Sequence, residues 1–373
     1  MDKNLEICFI APYLYKYLDE KENKPAGGAQ RQQYLLASEL KNRGYSIKLL
    51  VEDVGQDKEQ SIEDMLVVSG CPTNISSFFK IPQQICLLWH AIYTIDADIY
   101  YVRGAPRLTI AVGIGCKLLG KNFVFCAAND SDIFKSHLQE KYTKPVRKAY
   151  FWTIRNADTV ISQTNRQRSQ MESDFNIDSV RIPNGYTIPD SKCLLHHEER
   201  QFVLWVGSSD PNQKRPEKFL KLAKSLPEED FVMISKPHPG REKYHDELKN
   251  RAENIDNIYF LGTTPPDLVH EYHRRAKVFI NTSAYEGFPN TFLEAWRFAT
   301  PIVSLSFDVD QILRTKEVGM HSGSQAQLEE DTELLLSAPE RRNQMGQNGR
   351  ELLKEKYSLS SVTDRYEEVF KCI

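Results

Sequence analysis

The chain has 373 residues, 40% hydrophobic and 27% charged. That is enough for two ordered globular domains and is not the composition of a disordered chain. A formal net charge of -3 lacks the basic excess of a general nucleic-acid binder. The seven cysteines are scattered, with no C-x-x-C pair. This speaks against a disulfide framework or a zinc site and fits a reducing compartment.

Read in chain order, Leu5 to Ala11 is a buried strand. It ends at Pro12 without an A-x-A-like cleavage site, so it reads as the first core strand and not as a signal peptide. A loop ending in Gly27 and Gly28 leads to a helix from Ala29 to Asn42, stopped by Gly44. Ile47 to Glu52, Ile99 to Val102, Phe123 to Ala127 and Thr159 to Ser162 read as strands separated by helical patterns. The longest apolar-leaning segment, Ile81 to Ile95, is broken by Gln83, Gln84 and His90 and falls short of the ~20 residues of a membrane span.

Periodicity lapses from Ile182 to Arg200, where a linker is expected, and then restarts. Strands are expected at Phe202 to Val206, Phe231 to Ser235, Ile258 to Leu261, Val278 to Asn281 and Ile302 to Leu305. Helices are expected at Pro339 to Lys356 and Ser360 to Phe370. Strand-helix alternation with few hairpin signals implies α/β architecture, with two doubly wound, Rossmann-like domains whose ligands lie in a cleft at the carboxyl ends of the strands. The expected domains are residues 1–190 and 200–356, with a C-terminal helix in 357–373 that crosses back to the first domain.

The most informative string is SAYEGFPNTFLEAWRFATPIV, from Ser283 to Val303. Glu286 ends a loop after a strand. Pro289 and Asn290 start a helix, and Glu294 stands one turn inside it, eight positions after Glu286. A helix start between two carboxylates suits a phosphate flanked by sugar hydroxyls.

Glu286-GFPNTFL-Glu294 resembles the E-x7-E motif of the retaining GT-B glycosyltransferases of family 4. The resemblance extends over nearly the whole chain through GGAQRQQYLLASELKNRGYSIKLL, ADTVISQTNRQRSQM, RIPNGY, FVLWVGSSDPNQKRPEKFLKLA, NIYFLG and AKVFINTSAYEGFP. It implies transfer of a hexose from a UDP- or GDP-linked donor to a hydroxyl of a glycan, lipid-linked or small-molecule acceptor. Configuration would be retained, with no metal and no further cofactor. Glu294 would hold the ribose hydroxyls and Glu286 the transferred sugar. Amides from Gly287, Phe288, Asn290 and Thr291 would approach the diphosphate, together with the ammonium of Lys214.

The chain departs from the family pattern at one point. The arginine usual six positions before the lysine is Ser208 here. Arg215 is either its replacement or a helix-start surface residue. Gly28, after Gly27, would border the diphosphate and acceptor, and Arg31 faces either that cleft or solvent. Asp130 either holds a sugar or acceptor hydroxyl or caps the following helix. Arg103 either meets an anionic acceptor or pairs with an acidic neighbour.

Two D-x-D strings, Asp130-Ser131-Asp132 and Asp308-Val309-Asp310, are too short to imply a metal site. KYTKPVRKAYFWTIR is either a solvated helix or a peripheral contact with the inner face of a membrane, near a lipid-linked acceptor. Location in the cytoplasm is expected. Two rival readings follow from Ser208 and from the architecture: an inactive nucleotide- or glycan-binding scaffold, and a sugar-nucleotide epimerase.

Overall fold

The computed structural model describes residues 5–18, 27–72 and 81–373, so most of the loop expected before Gly27 lies outside the described residues. Two compact units emerge, Met1–Gly185 with Leu359–Ile373, and Tyr186–Ser358.

The first unit is built on strands β1 (Glu6–Ile10), β2 (Ser46–Val51), β3 (Glu59–Ile62), β4 (Met65–Ser69), β5 (Ile99–Arg103), β6 (Asn122–Cys126), β7 (Thr159–Ser162) and β8 (Val180–Arg181). Their order is β3-β4-β2-β1-β5-β6-β7-β8, parallel except for β3. Its helices include α1 (Gly28–Asn42), α2 (Ile81–Ile95), α3 (Pro106–Leu119) and α4 (Lys144–Arg155). Alternate residues of the central strands bury on opposite faces, as a doubly covered parallel sheet requires. Ile7, Phe9, Leu49, Ile99 and Tyr101 pack with Leu36, Ala37 and Leu40 of α1. Cys8, Ile10, Leu50, Tyr100 and Phe125 pack with Leu88, Ile92, Val112 and Ile154.

The second unit holds β9 (Phe202–Ser208), β10 (Phe231–Lys236), β11 (Ile258–Leu261), β12 (Ala276–Asn281), β13 (Ile302–Ser304) and β14 (Gly319–His321). They form one parallel sheet in the order β11-β10-β9-β12-β13-β14. Its helices include α5 (Glu217–Ser225), α6 (Pro266–Arg275), α7 (Asn290–Trp296) and α8 (Pro339–Leu352). A final helix, α9 (Leu359–Phe370), packs Val362, Tyr366, Val369 and Phe370 into the core of the first unit.

Several sequence expectations need correction. The β3–β4 hairpin escaped notice because Glu63 and Asp64 occupy its two-residue turn with φ of 52° and 56°. Glycine or asparagine usually marks such a turn. Gly28 is the first residue of α1, with Gly27 as its N-cap, so the helix starts one residue earlier than expected. The segment taken as a linker is divided. Ile182 packs in the first unit, whereas Tyr186 begins the second and Pro189 accepts a hydrogen bond there from Arg350. The helix expected to reach Lys356 ends at Leu352 and gives way to a widened turn over Leu353–Tyr357. Among the described residues no helix is long and apolar enough to cross a membrane.

Candidate functional site

In the second unit the strand order reverses between β9 and β12, and the loops leaving these two strands carry the motif residues. A reversal of this kind opens a crevice beyond the strand ends, where ligands of open α/β sheets bind. The loop after β9 is shaped by Asp210. Its carboxylate accepts from the amides of Asn212 and Gln213 at 2.8 and 3.1 Å, and its carbonyl from those of Lys214 and Arg215 at 3.0 and 2.9 Å. An aspartate that satisfies following amides folds such a turn locally. The loop is tied to the one after β12 by Ala284 N–H donating to Gln213 O at 2.8 Å and by the Thr282 hydroxyl donating to Lys214 O at 2.5 Å.

This stitching brings Lys214 and Glu286 together. The Lys214 ammonium is ion-paired with Glu286 Oε1, which also accepts from the Ser283 hydroxyl at 2.7 Å. Gln213 Nε2 donates to Tyr285 O at 3.2 Å and lies 3.4 Å from Glu286 Oε2. Glu286 is only 7% exposed, and a buried carboxylate requires such partners. Gln213, beside Lys214, and Ser283, which opens the motif string, were not singled out as site residues in the sequence.

Arg215 has partners within the protein. Its Nε donates to Thr282 O and its Nη2 to the Ser306 hydroxyl, both at 2.8 Å, so the guanidinium clamps loops together. Its backbone is in the left-handed region, with φ 49°, directly after Lys214. Burial lowers its pKa. A cation the sequence did not indicate stands beside Ser208 in the sheet. Lys236 ends β10 in register with Ser208 on β9 and is half-buried. Burial first, and the Lys214 charge second, lower its pKa.

Pro289 caps α7, so Asn290 and Thr291 supply its first amides, and both are half-buried. Gly287 is buried, and the Phe288 ring packs 4.9 Å from that of Tyr357, which leaves backbone as what these two residues offer a ligand. Glu294, 5% exposed, points one carboxylate oxygen at the Tyr186 hydroxyl at 3.1 Å and the other toward His273 Nε2 at 3.6 Å.

The remaining candidates belong to the first unit, whose strand order reverses between β1 and β5. Gly28 is exposed and Arg31 half-buried on the first turn of α1. The neighbouring Gln32 and Gln33 donate to Gly185 O and Ile10 O at 3.0 and 3.1 Å, anchoring that turn. Arg103 is buried and donates to the Asn184 side chain, an amide in place of the acidic neighbour that was one of its two expected partners. Asp130, 1% exposed, does not cap a helix; Asn129 caps the turn it lies in. Asp130 instead accepts from Gln167 Nε2 at 3.2 Å and lies 3.4 Å from Arg166.

In the same D-x-D string, Asp132 accepts the amides of Ala128 and Asn129 at 2.9 and 2.8 Å. Burial raises its pKa. Asp308 of the second D-x-D string likewise accepts from Leu313 N–H at 2.9 Å and pairs with Arg314 at 3.2 Å.

Residues 189–352 match the model of glycosyl transferases group 1, and residues 26–188 match that of Glycosyltransferase Family 4. An uncharacterized glycosyltransferase of Haemophilus influenzae is 23% identical over 361 residues, 92% of this chain and 96% of the relative. Sucrose-phosphate synthase from Thermosynechococcus elongatus superposes with a TM-score of 0.78 at 14% identity, covering 99% of both chains. Anabaena HepE, solved in complex with UDP and glucose, superposes with a TM-score of 0.75 at 13% identity, over 99% of this chain and 100% of that one. With family models matched in succession along both units, the chain belongs to the GT-B glycosyltransferases of family 4.

Proposed function

We propose that this glycosyltransferase moves a hexose from a UDP- or GDP-linked donor to a hydroxyl of a glycan or lipid-linked acceptor, with retention of configuration and without a metal. The observation that carries the reading is the Lys214–Glu286 pair at the β9/β12 reversal, with Glu294 one turn into the adjoining helix. A donor diphosphate takes Lys214 from Glu286, and the released carboxylate then accepts hydroxyls of the transferred sugar. The amides of Gly287, Phe288, Asn290 and Thr291 face the same phosphates. Preorganised charge of this kind stabilises the leaving diphosphate, commonly the largest catalytic contribution. The acceptor hydroxyl attacks from the face the diphosphate leaves and gives its proton to the departing phosphate oxygen. UDP in the HepE complex supports uridine as the base.

Turnover of UDP- and GDP-hexoses in excess EDTA, with NMR of the new anomeric proton, tests the reading. Activity should persist near its untreated level, and the product should keep the donor configuration. An inverted product, or activity lost to EDTA and restored by manganese, would refute it. Nucleotide binding without any turnover would instead favour the inactive scaffold suggested by Ser208.

Lys236 is the cation we assign to the phosphate in place of the arginine absent at Ser208. Lys236→Ala should weaken nucleoside diphosphate binding about tenfold, as loss of one charge-assisted contact does. Binding of the uncharged nucleoside should not change. Equal affinity of variant and wild type for the diphosphate, measured by calorimetry, would remove Lys236 from the site.

A further inference from the structure

Glu294 does not hold its carboxylate in place unaided. Tyr186, the first residue of the second unit, donates its phenol proton to Oε1 at 3.1 Å. The ring is itself fixed. Its residue's amide donates to Tyr357 O at 3.0 Å, and the Arg297 guanidinium lies 5.0 Å from the ring centre. His270 meets the ring edge-on, with its Nε2 3.1 Å from the phenol oxygen. A phenol has one proton to give. Spent on Glu294, it leaves oxygen lone pairs that His270 fills in its Nε2–H tautomer. In that tautomer the same nitrogen does not accept from Arg297, 3.3 Å away. Tyr186 is 1% exposed, so water does not substitute readily for its hydroxyl.

We propose that Tyr186 is a positioning residue that locks the Glu294 carboxylate for a vicinal diol and so makes the site selective for a ribonucleotide. This rests on Glu294 being the ribose ligand. A carboxylate oxygen has two lone pairs, so Oε1 accepts from Tyr186 and still accepts a sugar hydroxyl, while Oε2 takes the second. A glutamate side chain has three torsions, and one fixed by a buried phenol needs no ordering when the nucleotide arrives. A site built to satisfy hydroxyls rejects analogues that lack them, because its buried acceptors are left unpaired.

The test is calorimetric. Kd is measured for whichever of UDP and GDP binds, and for its 2′,3′-dideoxy counterpart, on the wild-type full chain, Tyr186→Phe and Glu294→Gln. Wild type should prefer the ribonucleotide by on the order of 100-fold, the worth of two hydrogen bonds to a charged group. Tyr186→Phe keeps the ring and its packing. It should raise Kd for the ribonucleotide about tenfold and change that for the dideoxy form by less than about twofold. A purely structural role would weaken both ligands equally, and that result would overturn the proposal. So would Tyr186→Phe retaining full discrimination while Glu294→Gln loses it, an outcome that leaves the ribose reading intact. Full discrimination in Glu294→Gln would overturn the ribose reading itself, as would binding of neither nucleotide. The ratio of two Kd values does not depend on the folded fraction, so partial unfolding of a variant does not obscure the result.

Discussion

Glu286→Gln should lower the rate of sugar transfer ~100-fold or more and leave nucleoside diphosphate binding unchanged or tighter. The first half follows from positioning. A carboxylate that holds the transferred sugar sets its approach to the acceptor, and misplacement of a reacting group removes rate on that scale. The second half follows from the ion pair. In the free protein Lys214 is held by Glu286, so the diphosphate must displace a charged partner that shares Oε1 with Ser283. Glutamine keeps the shape and removes the charge, which frees Lys214 for the phosphates. The calorimetric Kd for UDP and the single-turnover rate with UDP-hexose separate these effects. Weaker UDP binding in a folded variant would show that Glu286 supports the nucleotide and not the sugar. A covalent glycosyl adduct on wild-type Glu286 would make it a nucleophile, a different role from the one proposed.

Gly346→Ala should destabilise the second unit by a net ~2 kcal/mol, in opposition to local helix propensity, which favours alanine over glycine by about 1 kcal/mol. Gly346 lies inside α8, where a Cβ would stand 1.9 Å from Ala299 O and 2.7 Å from its carbonyl carbon. That neighbour is backbone and cannot rotate away. Ala299 is itself held in the left-handed region, at φ 54°, by a turn whose amides bond back to α7. Gly349, one turn on, has the Trp296 indole 2.2 Å from its would-be Cβ. Two glycines thus let α8 lie directly on the segment that follows Glu294.

Overpacking that forces backbone to move costs ~1–3 kcal/mol or more, which exceeds the propensity gain. The melting temperature of the second unit should fall by about 4–8 °C, on the scale of 2–4 °C per kcal/mol for a domain of this size. A melting temperature within 2 °C of wild type would show that the helix accommodates the methyl group. Nucleotide affinity should fall alongside stability, because the displaced segment directly follows the helix that carries Glu294.

Much of the fold was legible because buried parallel strands write themselves as apolar runs. β1, β2, β5, β6 and β7, and then β9 to β13, were each located to within two residues at either end. What the runs do not record is turn geometry. Glu63 and Asp64 adopt positive φ without a glycine to announce it, so the hairpin they close passed unseen.

Of the candidate site, the positions of Glu286, Glu294 and Lys214 were readable because charged residues at strand ends and helix starts stand out from their surroundings. The contacts between them were not, because they join residues far apart in the chain. Lys214 pairs with Glu286 across 72 positions, and Tyr186 reaches Glu294 across 108. Arg215 shows the same limit. Its guanidinium reaches acceptors distant in the chain, Thr282 O and the Ser306 hydroxyl, which its place beside Lys214 did not announce. The sequence alone determined which side chains carry charge and which strand ends they follow, since both depend on local pattern. The tertiary structure decided which of those charges face each other, since desolvation at the strand ends leaves each one dependent on whatever partner the folded chain brings within a hydrogen bond's length.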